Sequence, residues 1–184
     1  SIRPTNEVFE KTREKLVYIS MGTVNNDMTV FYKNCIDALK DSDYQVVLSV
    51  GSQVDIKQLE NYVIKSKGKA QFHVFPYVNQ IAVLKKADAF ITHCGMNSVS
   101  EALYFKVPLV MYPQTNEQKG VAFRVNELGA GIYLNSDAIS EIQIILKELL
   151  QQSKYKERAT AISNSFSKCG GSKAAVEKIL DICS

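Results

Sequence analysis

The sequence predicts an α/β domain built on a Rossmann-like, doubly wound parallel sheet of about six strands. Short apolar runs rich in Val, Ile and Phe alternate along the chain with longer segments of helical spacing. Strands of such continuous apolar character are typical of parallel sheets that are covered by helices on both faces and joined by right-handed crossovers. A chain of 184 residues, 46% of them hydrophobic, is long enough to bury that core as one domain.

The predicted elements follow from these apolar patterns in chain order. The strands are short apolar runs bounded by turn residues, and they are Leu16–Ser20, Tyr44–Ser49, Gln71–Phe75, Ala87–Thr92, Leu109–Tyr112 and Gly131–Leu134. The helices have apolar residues at helical spacing, and they are Met28–Leu39, Ile56–Ile64, Ile81–Lys85, Asn97–Tyr104, Lys119–Glu127, Ser140–Leu150, Tyr155–Ser165 and Lys173–Ile182.

The first fifteen residues differ from the rest of the chain. They are polar, include Pro4 and begin without methionine. We therefore expect residues 1–15 to be a linker from a preceding N-terminal domain, in a piece cut from a longer protein, and residues 16–184 to form one ligand-binding domain.

Composition argues against several function classes. The formal charge of +3 comes from 22 basic and 19 acidic residues without a basic stripe, so nucleic acid is not an expected partner. Four scattered cysteines (Cys35, Cys94, Cys169 and Cys183) and two histidines predict neither a disulfide framework nor a zinc site, which favours a reduced, cytoplasmic setting. No run is long enough for a membrane span, and the first residues do not form a signal peptide.

The turn after the fourth predicted strand carries the most informative chemistry. His93, Gly95, Asn97 and Ser98 lie between a buried strand and a helix, where free backbone amides and the helix dipole favour an anion. Ligands of open α/β sheets collect at this edge, outside the carboxyl ends of the strands. Spacing alone supports a second interpretation equally well. In it Ser98 and Glu101 form a capping box, Gly95 serves only a backbone angle, and His93 is an ordinary strand-end residue.

The segment from Phe90 to Gln118 resembles the signature of the nucleotide-sugar glycosyltransferases, which include bacterial macrolide, plant secondary-product and animal glucuronosyl enzymes. Upstream, Tyr77 to Gln80 resembles the family's W-[VL]-P-Q and Tyr18 to Thr23 its first-strand V-S-x-G-T loop. The matching positions of the main signature are Phe90, Thr92, His93, Gly95, Asn97, Ser98, Glu101, Ala102, Val107, Pro108, Pro113, Glu117 and Gln118. The resemblance covers nearly all the chain but only half of a family member, so it implies that residues 16–184 are the donor-binding half of a GT-B fold.

The resemblance implies roles for two loops upstream of the signature. Gly22 and Thr23 would approach the diphosphate and the transferred sugar, although a glycine turn with a helix cap is the alternative. Tyr77 would stack on uracil, Val78 would offer backbone contacts and Gln80 would lie near the ribose. Taken by itself, Tyr77 is more simply a residue of the third strand's exit loop. The chain lacks the G-x-G-x-x-G and Walker patterns, which weakens dinucleotide and triphosphate interpretations.

Within the signature itself, the resemblance assigns Glu101 to the ribose hydroxyls, because a carboxylate can accept two hydrogen bonds from a diol. His93, Gly95 and the amides near Asn97 and Ser98 would hold the phosphates and stabilise the leaving diphosphate without a metal. The chain has no Asp-x-Asp signature of metal-dependent glycosyltransferases, and no cofactor is expected.

The acidic-amide pair Glu117 and Gln118 would contact the sugar hydroxyls. The alternative for Glu117 is ordinary complementation of the helix dipole in the first turn.

The function implied is the donor-binding domain of an inverting, metal-independent glycosyltransferase that moves a hexose, with glucose as the leading candidate, from a UDP-sugar to a hydroxyl of a small acceptor. The family's general base is a histidine of the N-terminal acceptor-binding domain, so no catalytic base is assigned in this chain, and the fragment alone is expected to be inactive. Two alternatives stay open: a stand-alone nucleotide-sugar-binding subunit of a two-chain glycosyltransferase, and a non-enzymatic nucleotide-binding domain.

Overall fold

A computed structural model describes residues 10–22, 28–170, 176 and 179–182. Its strands are β1 (Leu16–Ser20), β2 (Gln45–Ser49), β3 (Gln71–Phe75), β4 (Ala89–Thr92), β5 (Leu109–Met111) and β6 (Gly131–Tyr133). They form a six-stranded sheet in the order β3-β2-β1-β4-β5-β6, in which every neighbouring pair is parallel. The predicted doubly wound α/β class is confirmed, and each predicted strand lies within two residues of its observed bounds.

The helices are α1 (Thr29–Leu39), α2 (Ile56–Ser66), α3 (Gln80–Leu84), α4 (Met96–Tyr104), α5 (Asn116–Glu127), α6 (Ile139–Gln151) and α7 (Ser153–Lys168). The largest difference at a helix start is in α5, which begins three residues before the predicted Lys119 because Thr115 caps it. Half of the predicted helix Lys173–Ile182 lies outside the described residues, and its described residues, Val176 and 179–182, are helical.

Alternating side chains of the strands divide the core into two layers. Val17 and Ile19 of β1 face a cluster built with α1, α2 and α6. Leu16 and Tyr18 face the opposite cluster, which is built with α3, α4, α5 and α7. Because successive strand residues point to opposite faces, a strand that is apolar throughout must be covered on both sides. The helices supply that cover, as the sequence pattern predicts.

The strand order places a topological switch between β1 and β4. From β1 the chain builds outward through β2 and β3 on one side, and through β4, β5 and β6 on the other. Ser20 is paired with Thr92, so the loops that follow these two strands leave the sheet side by side. A crevice at the carboxyl ends of the strands is expected at such a switch point.

Polar side chains fasten the chain to the opposite, amino-terminal edge of the sheet. Asp88 Oδ2 accepts from Lys11 Nζ at 2.6 Å and from the backbone N–H of Leu16 at 2.8 Å. The fully buried Gln45 accepts from the backbone N–H of Thr12 at 2.8 Å. Residues 10–15 of the predicted linker therefore contact the domain directly, whereas residues 1–9 lie outside the described part of the chain.

Replacing Asp88 by alanine is expected to lower the free energy of unfolding by about 1–3 kcal/mol, because the buried N–H of Leu16 loses its acceptor. The matched control is Glu127→Ala, which breaks the exposed ion pair between Arg124 and Glu127 and should change stability by less than about 1 kcal/mol. Denaturant titration of both variants checks this expectation. Equal losses would show that the contacts of Asp88 contribute no more than a surface pair.

Candidate functional site

A cavity of about 760 Å³ opens at the switch point, between the loops that follow β1, β3, β4 and β5. Its walls include every predicted site residue that the structure describes: Gly22, Tyr77, Val78, Gln80, His93, Gly95, Asn97, Ser98, Glu101, Glu117 and Gln118. Thr23 lies outside the described residues. Residues up to 96 positions apart in the chain are therefore neighbours around one space, as the resemblance implied.

The turn after β4 is held in an uncommon backbone conformation. Cys94 is fully buried and has φ of 67°, in the left-handed region that non-glycine residues seldom adopt. The hydroxyl of Thr92 accepts from the backbone N–H of Cys94 at 3.2 Å, which supports the bend. The bend directs the chain from the buried strand into α4 at the cavity wall. Strain of this kind is concentrated at functional sites.

The amino terminus of α4 lacks a side-chain cap. Gly95 is the N-cap residue and provides no side chain, while Ser98 lies within the first turn. The capping box predicted as an alternative for Ser98 and Glu101 is therefore wrong. The backbone N–H groups of Met96, Asn97 and Ser98 have no acceptor within the helix, so they and the helix dipole favour an anion at this point.

The imidazole of His93 lies between two glycines. A Cβ atom on Gly22 would approach Cε1 of the ring to 2.6 Å, and one on Gly95 would approach Nε2 to 2.7 Å. Gly22 also has φ of +82°. Both glycines are needed for close approach to the ring, and Gly22 is needed for its backbone angle as well.

Burial lowers the pKa of His93, and the backbone oxygen of Ser20 beside the ring offsets part of that shift. Nδ1 is buried and has no hydrogen bond of normal geometry to the residues described. The free site therefore favours a neutral His93, while a bound anion beside the ring would favour the imidazolium.

Gln80 links two predicted ligand contacts that the sequence analysis treated separately. Its Nε2 donates to Oε2 of Glu101 at 2.7 Å and to the hydroxyl of Ser98 at 3.3 Å. Asn79, which replaces the proline of the family pattern, caps α3 by accepting from the backbone N–H of Ala82 at 3.2 Å. The departure at position 79 thus retains a rigid start for the helix that carries Gln80.

Tyr77 precedes α3 and is 45% exposed at the cavity, so its ring is accessible to a planar ligand. Its neighbour Val78 is partly buried and packs against the core. One residue of this pair anchors the loop while the other offers an open aromatic surface.

The start of α5 contains a capping box of the kind that the second interpretation placed at α4. Oε1 of Gln118 accepts from the backbone N–H groups of Gln114 at 2.8 Å and Thr115 at 3.2 Å, while Thr115 Oγ1 accepts from the N–H of Gln118 at 3.4 Å. The side-chain oxygen of Gln118 is therefore used by the backbone, and its amide NH₂ is the group left for a ligand. Glu117 is exposed in the same helical turn.

The cavity also contains residues that the sequence analysis did not assign. Tyr18 lines it from the middle of β1, Ser20 and Ser49 line it from the ends of β1 and β2, and Gln114 and Thr115 line it before α5. Period-two spacing from the predicted Gly22 loop would have identified Ser20 and Tyr18 as one face of β1. The pattern Thr115-x-x-Gln118 would have identified the cap.

The charge of the lining is unusual for an anion site. Its described residues include no lysine or arginine, and its acidic side chains are those of Glu101 and Glu117. Across residues 10–22, 28–170, 176 and 179–182 there is no group of three or more His, Cys, Asp or Glu side chains that could hold a metal. Within the same ranges, no helix has the length and apolar character of a membrane span.

Residues 4–168 match the family described as "UDP-glucoronosyl and UDP-glucosyl transferase". The chain is 37% identical over 174 residues to the uncharacterized UDP-glucosyltransferase YojK of Bacillus subtilis, covering 91% of this chain and 40% of the relative. It is also 37% identical over 174 residues to the NDP-glycosyltransferase YjiC of Bacillus subtilis, covering 94% of this chain and 43% of that protein. The chain therefore spans about two fifths of the length of these curated relatives.

Solved structures agree with the fold. The chain is similar to the glycotransferase of kitacinnamycin with a TM-score of 0.85 and 26% identity, covering 98% of this chain and 47% of that one. It is similar to CalG4, the calicheamicin glycosyltransferase, with a TM-score of 0.81 and 25% identity, covering 94% of this chain and 45% of that one. Each match covers a little under half of the solved glycosyltransferase, as expected for one half of a GT-B fold. By fold and by sequence, this chain belongs to the family of UDP-glucuronosyl and UDP-glucosyl transferases.

Proposed function

We propose that this chain binds the nucleotide-sugar donor of an inverting, metal-independent glycosyltransferase, and that the donor is UDP-glucose. The observation that carries the proposal is the single cavity at the switch point, where an exposed tyrosine, a glutamate held by a glutamine, and an uncapped helix terminus lie around one space. Relatives named as a UDP-glucosyltransferase and an NDP-glycosyltransferase support the class of ligand.

The nucleoside would occupy the side of the cavity formed by α3 and α4. Tyr77 would stack on uracil, since its ring is exposed there. Glu101 would accept hydrogen bonds from the ribose hydroxyls, because Gln80 occupies Oε2 and no described residue donates to Oε1. A carboxylate held in this way is oriented before the ligand arrives, which reduces the entropy lost on binding.

The diphosphate would lie against His93, Gly95 and the first turn of α4. Free amides, the helix dipole and the hydroxyl of Ser98 supply hydrogen bonds to the phosphate oxygens. These groups also stabilise the charge that develops on the leaving diphosphate, so they would assist the chemical step electrostatically. In that step an acceptor hydroxyl attacks the anomeric carbon, the bond from that carbon to the diphosphate oxygen breaks, and UDP leaves with the electron pair.

A preceding N-terminal domain would bind the acceptor and supply the base that deprotonates it. No residue of this chain matches the family's base, and the chain corresponds to about two fifths of its relatives. Glu117 and the amide NH₂ of Gln118 would contact the sugar hydroxyls from α5. We therefore assign donor binding and leaving-group stabilisation to this chain, and deprotonation of the acceptor to the other domain.

Tyr77→Ala is expected to weaken UDP binding by about 1–2 kcal/mol, or roughly fivefold to thirtyfold, because the uracil loses its stacking surface. Calorimetry with the 184-residue chain measures this loss. The matched control is Tyr104→Ala, which removes another exposed tyrosine that does not line the cavity. Unchanged affinity in Tyr77→Ala would remove that residue from the site, and no binding by the wild type at millimolar UDP would refute the proposed function.

His93→Ala and Ser98→Ala should weaken UDP much more than uridine, because these side chains would contact the phosphates. Binding of both ligands to each variant checks the assignment. Losses that are the same for UDP and uridine would contradict it. Binding that disappears in a chelator would contradict the metal-independent proposal.

Binding of UDP should depend on pH through His93. Burial lowers the pKa of His93 in the free chain, whereas a bound diphosphate would raise it, so binding should be accompanied by proton uptake. Affinity for UDP should therefore fall as pH rises, and fall more steeply in the wild type than in His93→Ala. The difference between the two curves cancels the titration of UDP itself.

Glu117→Ala and Gln118→Glu should reduce affinity for UDP-glucose while UDP affinity stays within about twofold, because both side chains would touch only the sugar. Gln118→Glu is preferred to alanine because a carboxylate oxygen can maintain the capping box while the amide NH₂ is lost. Competition between UDP and UDP-glucose measures the effect. An equal loss for the two ligands would place these residues elsewhere in the site.

A further inference from the structure

We propose that Tyr18 is a positioning residue that fixes the side-chain amide of Gln80 and, through it, the ligand-facing groups of Glu101 and Ser98. This inference rests on the proposed function, in which the cavity takes a nucleoside diphosphate. Tyr18 lies behind Gln80 on β1, and its hydroxyl donates to Oε1 of Gln80 at 3.2 Å. The proposal therefore assigns a role in ligand recognition to a buried strand residue.

The ring of Tyr18 is packed in the core of the domain. It occupies the centre of β1, is 1% exposed, and stacks on Phe90 of β4 with centroids 4.6 Å apart and an interplanar angle of 16°. Both strands are central in the sheet. The position of the hydroxyl is thus set by the core of the domain, whereas Gln80 and Glu101 project from helices at the cavity.

The hydroxyl of Tyr18 remains a donor under ordinary conditions. Burial raises the pKa of Tyr18 above its usual range, although nearby hydroxyls of Ser20 and Ser49 counteract part of that shift. A neutral phenol has one hydrogen to donate, and the oxygen of the Gln80 amide receives it.

The orientation of the Gln80 amide follows from its partners. An ionised Glu101 can only accept, so the Gln80 atom 2.7 Å from it must be Nε2, and Oε1 must face Tyr18. Reversing the amide would place two oxygens against each other at Glu101. The contact with Glu101 therefore selects the orientation, and in that orientation the phenol of Tyr18, which could also accept from an NH₂ group, donates to Oε1.

This orientation determines what the cavity offers to a ligand. Because Nε2 of Gln80 donates to the oxygen of Ser98, the hydroxyl hydrogen of Ser98 is free to donate to a phosphate. Because Nε2 also holds Oε2 of Glu101, the other carboxylate oxygen remains for a diol. Removing the phenol O–H releases Oε1 of Gln80, so the amide that orients the Ser98 hydroxyl and the Glu101 carboxylate is held by fewer contacts.

Tyr18→Phe keeps the ring and its stacking and removes only the hydroxyl. We expect it to weaken UDP binding about threefold to tenfold, which corresponds to the loss of about one hydrogen bond's contribution. In a Gln80→Met background the same substitution should change affinity by less than about twofold, because the group that Tyr18 positions is absent. The matched control is Tyr155→Phe, which removes a hydroxyl bonded to Glu148 at 2.7 Å outside the cavity.

A ligand without the ribose diol separates the contribution of Glu101 from that of Ser98. With 2′,3′-dideoxyuridine diphosphate, the effect of Tyr18→Phe should be smaller than with UDP, since the Glu101 carboxylate then has no diol to contact. Wild-type affinity in Tyr18→Phe, or the same loss with and without Gln80, would overturn the positioning role.

A spectroscopic measurement on the ligand-free chain keeps the test independent of UDP binding. The two side-chain amide protons of Gln80, assigned by their disappearance in Gln80→Met, should depart from the chemical shifts of a solvated glutamine because they donate to Glu101 and Ser98. In Tyr18→Phe these resonances should move toward those of a solvated glutamine, while Tyr155→Phe leaves them unchanged. If Tyr18→Phe does not fold, the wild-type spectrum still decides, because solvent-like Gln80 resonances there would refute the proposal. If the wild type binds no UDP but shows the shifted amide, the proposed function fails while the contact stands.

Discussion

Parallel pairing of β1 with β4 is the constraint on which the rest of the site depends. It brings the exit loops of two strands far apart in the sequence to one point, and it leaves very little room between them. The imidazole of His93 fills that room so closely that neither Gly22 nor Gly95 has space for a side chain. Glycine in both loops is therefore required for placing an anion beside α4, and Gly22 is required for its backbone angle as well.

The sequence was sufficient for the strands and for which loops would meet, because continuous apolar runs and parallel topology determine both. It was not sufficient for the helix caps. Ser98-x-x-Glu101 and Thr115-x-x-Gln118 fit the same local pattern, yet only the second forms a capping box. The difference is that α4 begins at Met96, directly after its N-cap Gly95, so Ser98 lies inside the first turn. There Gln80 binds both Ser98 and Glu101, a contact that no local pattern contains.

The segment before β1 shows a second limit of composition. Its polar residues predict a linker. Composition alone, however, does not distinguish a solvated segment from one that is hydrogen-bonded to the domain. In the structure Lys11 and Thr12 are bonded to Asp88 and to the buried Gln45, which lie far along the chain. The sequence does not identify these partners, because only the folded sheet brings them next to the segment. The described end of this segment is therefore attached by hydrogen bonds to the amino-terminal edge of the sheet.

The described lining of the cavity would have to bind an anion without a lysine or arginine side chain. Two carboxylates lie in the described lining and no lysine or arginine does, so the charge of a diphosphate would have to be met by amides, hydroxyls, a helix dipole and His93. These groups act only when they are correctly oriented, whereas a flexible cation can adjust to its ligand. That is why buried contacts such as the one between Tyr18 and Gln80 matter here. Where recognition depends on fixed dipoles, the residues that set their direction contribute to binding without touching the ligand.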